Sequence, residues 1–141
     1  MFLDPNGLEV LDPATCREFV ARHQVARLGF ASDHEVSILP VTYAVIDDAL
    51  VIRTSNGSKV AAAVAGRPVA IEVDDIDERR HVGWSVLVRG VMELVADEAE
   101  IAALDAHGLH SWGQTGSHFL RLPLTDLTGR RMHTGARRAD R

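Results

Sequence analysis

From residue 24 to residue 132 the chain alternates apolar and polar positions in short runs broken by turn-forming clusters. Val69, Ile71 and Val73 interleave with Ala70, Glu72 and Asp74, the period of two that buries one face of a strand. The same pattern predicts strands over QVARLGFA (24–31), EVSILPVTY (35–43), ALVIRTS (49–55), PVAIEVD (68–74), VGWSVLVRGVMELV (82–95) and HFLRLPL (118–124), with DLTGRRM (126–132) closing the set. The clusters SDHE and IDD read as the turns between the first strands. Helical signals are fewer and shorter. Asp12-Pro13 places a cap and a first-position proline in the preferred order, and Cys16, Phe19 and Val20 then lie on one side through about Ala21. A second helix follows Ser55 or Asn56, with Val60 and Val64 sharing a face and Gly66 and Pro68 marking its stop. The third lies in DEAEIAALDAHGL (97–109), where Asp97 and Glu100 suit a capping box and Gly108 ends the helix with Leu109 placed to touch Leu104. Closely spaced strands without long helices between them predict a mainly β fold, an antiparallel barrel of about six strands with short flanking helices.

Composition narrows this picture. A chain of 141 residues with 46% hydrophobic content is the size of one domain with a real core; residues 1–132 read as that domain and 133–141 as a flexible basic tail. The net charge of -5 argues against nucleic acid as a partner. One cysteine, Cys16, excludes an intrachain disulfide and reads as a core residue. With no signal-peptide pattern and no apolar run long enough to span a bilayer, the expectation is a cytoplasmic protein without a membrane partner.

Charge raises the first chemical question. Lys59 falls in the first turn of the alanine-rich helix, where a cation beside the positive end of the helix dipole costs roughly 0.3–1 kcal/mol. Arg53 adds a second cation just upstream, and Thr54, Ser55 and Ser58 add hydroxyls. Two cations, hydroxyls and backbone N–H groups at a strand-to-helix corner are what a phosphate needs; the alternative is that both cations are simply solvated. The order of residues is neither a Walker loop nor a dinucleotide fingerprint. His107 and His110 are separated by a helix-breaking glycine and lack a third ligand, so no zinc site is expected. His118 opens a late strand and is either a packed residue or one lying over a ligand site. Asp74, Asp75, Asp77 and Glu78 lack the glycine and distal glutamate of a calcium loop and read as a solvated turn. Trp112, in HSWGQTGSH, reads either as a lid over a site or as a cap on the barrel.

The ordered set LPVTYAV (39–45), VIRTSNGSKVAAAVAG (51–66), PVAIEVDDID (68–77), GWSVLVRGVMEL (83–94) and LTGRRM (127–132) resembles the pyridoxamine 5′-phosphate oxidase-like FMN-binding split β-barrels, and within them the nitroimidazole-resistance-protein-like branch more than the oxidase itself. The resemblance spans roughly residues 12–132. It implies FMN held at a homodimer interface, with Arg53 and Lys59 on the phosphate and Thr54 and Ser58 as hydroxyl donors. Pro40, Val41, Thr42 and Tyr43 become candidate flavin-ring contacts, joined by Trp84 and Ser85. Trp84 has a second reading as a core or interface anchor. The long strand 82–95 is apolar on both faces, with Trp84, Val86 and Val88 on one and Leu87, Val91 and Val95 on the other, as a barrel strand that also meets a partner subunit would be. The implied activity is an oxidoreductase acting on a small redox-active molecule; the alternative is a non-catalytic binding module. No catalytic side chain is assigned, because the flavin carries the chemistry. The C-terminal region lacks the basic substrate-phosphate motif of the true oxidase, so pyridoxamine 5′-phosphate is not the expected substrate. A deazaflavin coenzyme and haem are alternative cofactors.

Overall fold

The computed structural model describes residues 1–54, 59–109 and 118–133. Among these, nine antiparallel strands curl into one sheet with three short helices at its flanks. In chain order they are β1 (Glu9–Leu11), α1 (Pro13–Val20), β2 (Val25–Ser32), β3 (Glu35–Ile46), β4 (Ala49–Thr54), α2 (Lys59–Val64), β5 (Pro68–Asp77), β6 (Val82–Val91), β7 (Glu93–Leu94), α3 (Glu98–Ala106), β8 (His118–Pro123) and β9 (Asp126–Met132). Across the sheet the order is β1-β9-β6-β5-β2-β3-β4-β8-β7. The mainly β split-barrel expectation holds, with nine strands in place of about six.

The turn chemistry fixes register where the sequence said it would. Ser32 pairs with Glu35 and Ile46 with Ala49, leaving Asp33-His34 and Asp47-Asp48 as two-residue connections. All four residues have positive φ, the geometry of a primed hairpin turn, which short polar side chains tolerate. Asp12 caps α1 by accepting from the Thr15 N–H at 2.7 Å, and Asp97 caps α3 by accepting from the Glu100 N–H at 3.0 Å. The predicted capping box at α3 is only half formed, because the Glu100 carboxylate turns to the Arg121 guanidinium at 3.2 Å. An ion pair to β8 competes successfully for that side chain.

Two of the strand expectations need correction. β1 carries no separate signal in the sequence and is added to the barrel by pairing with β9. The strand expected over 82–95 ends at Val91 and resumes as β7, since Met92 is fully buried and its N–H donates to the Arg67 carbonyl while its own carbonyl accepts from the Gly66 N–H. That break sends β6 to pair with β5 and β9 and β7 to pair with β8. Val95 therefore leaves the face of Leu87 and Val91 and packs under α3.

One large core fills the barrel, built from inward positions such as Leu28, Leu50, Ile52, Ile71, Val86, Val88 and Leu120, with Cys16, Phe19 and Val20 of α1 closing one end. The approach of α1 to β9 is so close that a side-chain carbon at Gly129 would lie 2.7 Å from the Cys16 sulfur. A smaller cluster of Val51, Val95, Leu104 and Phe119 lies on the far side of β4, under α3. No helix among the described residues is long and apolar enough to cross a membrane.

Candidate cofactor site

Successive side chains of a strand point to opposite faces, and this governs the expected phosphate corner. Leu50 and Ile52 of β4 enter the main core, whereas Val51 enters the cluster beneath α3. Arg53 follows Val51. Its guanidinium lies 5.0 Å above the Phe119 ring, places Nη2 2.9 Å from Asp105 Oδ1 and donates from Nη1 to the Leu109 carbonyl at 3.2 Å. With a side chain only 16% exposed, Arg53 is not a solvated surface cation. Thr54 belongs to the other face. It is buried, and its Oγ1 has no hydrogen-bond partner among the described residues, an arrangement that ordinarily costs about 1–3 kcal/mol. Arg53 and Thr54 thus flank the end of β4 from opposite sides, immediately before the α2 corner.

Lys59 is the first residue of α2 as the sequence implied, and Val60, Ala61, Val64 and Ala65 pack that helix on the main core. The Lys59 side chain, Ser58 and Trp112 lie outside the described residues, as do His110 and the tail from residue 134. His118 is exposed and sits directly across from Thr54 in the β4–β8 ladder.

The proposed ring-contact segment also divides by face. Pro40 and Thr42 share the outer face of β3 with Val36 and Ile38, while Val41 and Tyr43 turn toward the core. Tyr43 is buried and its hydroxyl donates to the Val20 carbonyl at 2.5 Å; burial alone pushes its ionisation well above the usual phenol range. Thr42 instead lines a cleft of about 430 Å³ with Ala21, His23, Gln24, Ala44 and Leu109. This cleft opens where β3 passes from its pairing with β2 to its pairing with β4, and the end of α3 forms its opposite wall. Leu109 connects the two regions, since its carbonyl is held by Arg53.

Trp84 and Ser85 likewise point apart. Trp84 is half-buried, with its ring 4.7 Å from that of Phe19 and 5.1 Å from that of His23; the anchor reading accounts for these contacts. Ser85 faces outward between Asp74 and Arg130 in the ladders of β5 and β9. His23 was not singled out by its sequence context, yet it lines the cleft, meets the Trp84 ring at a tilt and faces Asp75 at 3.6 Å. Asp105 was also missed, because its partner Arg53 is remote in the chain and an aspartate in a short helix carries no spacing signal. No group of three or more histidine, cysteine or acidic side chains suited to a metal occurs among the described residues.

The outer face of β2, β3, β5 and β6 carries several exposed apolar side chains. Val25, Val36, Ile38, Ile76 and Val91 are all on this side by register, and each is at least 48% exposed. In its midst Arg27 Nη1 bridges Glu72 at 3.3 Å and Asp74 at 3.2 Å. Partial burial and the neighbouring Asp74 carboxylate outweigh Arg27 and push the Glu72 carboxyl up to about 7.

A curled antiparallel sheet with helices at its rim and an arginine-bearing strand end defines a split β-barrel protein. The chain belongs to the pyridoxamine 5′-phosphate oxidase family, whose sequence pattern it matches over residues 12–131. An uncharacterized protein of Mycobacterium tuberculosis is 36% identical over 122 residues, covering 75% of this chain and 80% of the relative. A structure described as the FAD binding protein from Mycobacterium smegmatis has 31% identity and a TM-score of 0.71, covering 88% of this chain and 97% of that one. In fold alone, a Bacteroides thetaiotaomicron structure assigned to 5-nitroimidazole antibiotic resistance is similar, with a TM-score of 0.68 at 15% identity and 89% of each chain covered.

Proposed function

We propose that this protein binds a phosphorylated flavin and acts, as a homodimer, as an oxidoreductase on a small redox-active molecule. The observation that carries the reading is the buried guanidinium of Arg53 at the end of β4, immediately before the corner at which Lys59 opens α2. A largely buried arginine offers a planar fork of donors to phosphate oxygens; the Thr54 hydroxyl lies on the opposite face of β4. FMN is the cofactor read from the sequence. FAD is the second reading, supported by similarity to the mycobacterial FAD-binding protein, and both offer a phosphate at the same position on the ribityl chain.

When bound, the flavin supplies the hydride or electron transfer. The chain's own residues hold and orient it. Arg53 and Lys59 neutralise the phosphate, and the cleft containing Thr42, Gln24 and His23 offers polar groups to the ring edge with Trp84 buttressing His23. Titration of the protein with FMN and with FAD tests this. Arg53→Ala and Lys59→Ala should each weaken binding by about 1.5–3 kcal/mol, the range for charge-assisted hydrogen bonds. Unchanged affinity in both variants would remove the assignment.

The apolar outer face supports the dimer. Val36 and Ile38 are 81% and 69% exposed, and contiguous apolar surface of this kind marks interaction sites. Ile38→Lys should convert a dimer to monomer in sedimentation at micromolar concentration; a protein that is monomeric before the change would refute the assembly.

A further inference from the structure

Arg53 is the centre of the proposed phosphate site, and a carboxylate of the same chain is already in contact with it. The two partners are unequal. Arg53 is 16% exposed, whereas the Asp105 side chain is 60% exposed on the last turn of α3. Arg53 also has two other anchors, the Leu109 carbonyl at 3.2 Å and the Phe119 ring beneath it. Its position therefore does not depend on Asp105, and the main contribution of that carboxylate is its charge. The cleft beside the pair is lined by Arg53, Asp105, Glu98, Ile101 and Phe119, so a second acidic group reinforces the negative charge there.

We infer that Asp105 is an internal competitor for the anion-binding arginine, a specificity-determining residue that a ligand phosphate must displace or outbid. This inference rests on the phosphate reading of Arg53. An exposed carboxylate can swing into water at little cost, because exposed ion pairs are weak. A dianionic phosphomonoester, with more charge and a bidentate fit to the guanidinium, displaces it. A carboxylate metabolite, with a single charge like that of Asp105, gains nothing by the exchange. Asp105 thereby filters out weak anions at the expense of some affinity for the intended one, which is the usual way specificity is set against competitors.

The test is a calorimetric titration of the full chain with FMN and with riboflavin, which lacks the phosphate, using Asp105→Asn, Arg53→Ala and the double variant. Asp105→Asn keeps shape and removes charge, and the melting temperature of each variant confirms folding. FMN should bind Asp105→Asn about threefold more tightly, riboflavin should bind it unchanged, and the gain should vanish when Arg53 is also alanine. Equal or weaker FMN binding by Asp105→Asn, or a gain that survives loss of Arg53, overturns the inference while leaving the phosphate site standing. If Arg53→Ala alone leaves FMN affinity unchanged, the phosphate reading itself fails and takes this inference with it.

Discussion

The two faces of β4 occupy unlike surroundings. Leu50 and Ile52 are wholly buried in the main core, supported by β2, β3, β5, β6 and β8. Val51 lies in a cluster of four buried residues under α3, and Arg53, on the same side, packs on Phe119 and pairs with Asp105 at the end of that helix. A single strand thus separates the part of the molecule that specifies the fold from the part that carries the candidate chemistry.

Stability measurements can break this comparison. Ile52→Ala, inside the main core, should cost about 3–5 kcal/mol, and Leu104→Ala, under α3, about 2–3 kcal/mol, the difference reflecting how well each site can collapse. Equal losses in chemical denaturation would mean that the cluster under α3 is as integral as the barrel. Arg53→Ala sharpens the contrast from the other direction. It removes a largely buried side chain that packs on Phe119 and donates to the Leu109 carbonyl and should cost about 1–3 kcal/mol of stability, while cofactor affinity falls by the amount given above.

Helix caps offer a smaller test. Asp12→Ala at α1 and Asp97→Ala at α3 each remove one side-chain acceptor and should each cost about 1 kcal/mol. If the α3 variant loses α3 selectively in amide exchange while the α1 variant loosens the whole barrel, the division across β4 holds. The finest effect is on pH. Because the Glu72 carboxyl is raised from 4.5 to about 7 in the folded protein, the folded state favours its protonated form. Its contribution to stability is complete below pH about 4.5 and declines as pH rises through about 7. Glu72→Gln should therefore flatten the stability profile between those limits and be relatively more stable than the parent protein at pH 8; a denaturation profile unaltered by the substitution would refute the shift.

Most of the barrel was legible from local pattern. The β2–β3 and β3–β4 hairpins combine alternating strands with polar two-residue turns, and both signals are contiguous in the chain. The boundary at Val91 was not legible, because it depends on Met92 exchanging backbone hydrogen bonds with the 66–67 segment, a contact that periodicity does not contain. β1 was invisible for a similar reason, since three residues are too few to show a period. Arg53 was a candidate from its strand-end position and the cation that follows it. The opposite orientations of Arg53 and Thr54, and of Trp84 and Ser85, follow from strand pleat and were available in principle. Asp105 and His23 were not, because their roles arise only when α3 and α1 are folded against the barrel.

The sheet ends in stubs. At one edge stands β1, three residues long, and at the other β7, two residues long. Long exposed edges act as templates on which further chains add as strands, and short, charged edges interrupt that growth. Glu9 on β1 is paired with His133 and Arg131, and Glu93 on β7 is held by Arg121, so each stub bears a carboxylate fixed in place. Exposed apolar side chains such as Val36 and Ile38 lie on the sheet's face, and among the described residues the edges of the sheet are these two short stubs. Short edges with fixed charges of this kind disfavour open-ended polymerisation of a molecule whose sheet face carries exposed apolar side chains.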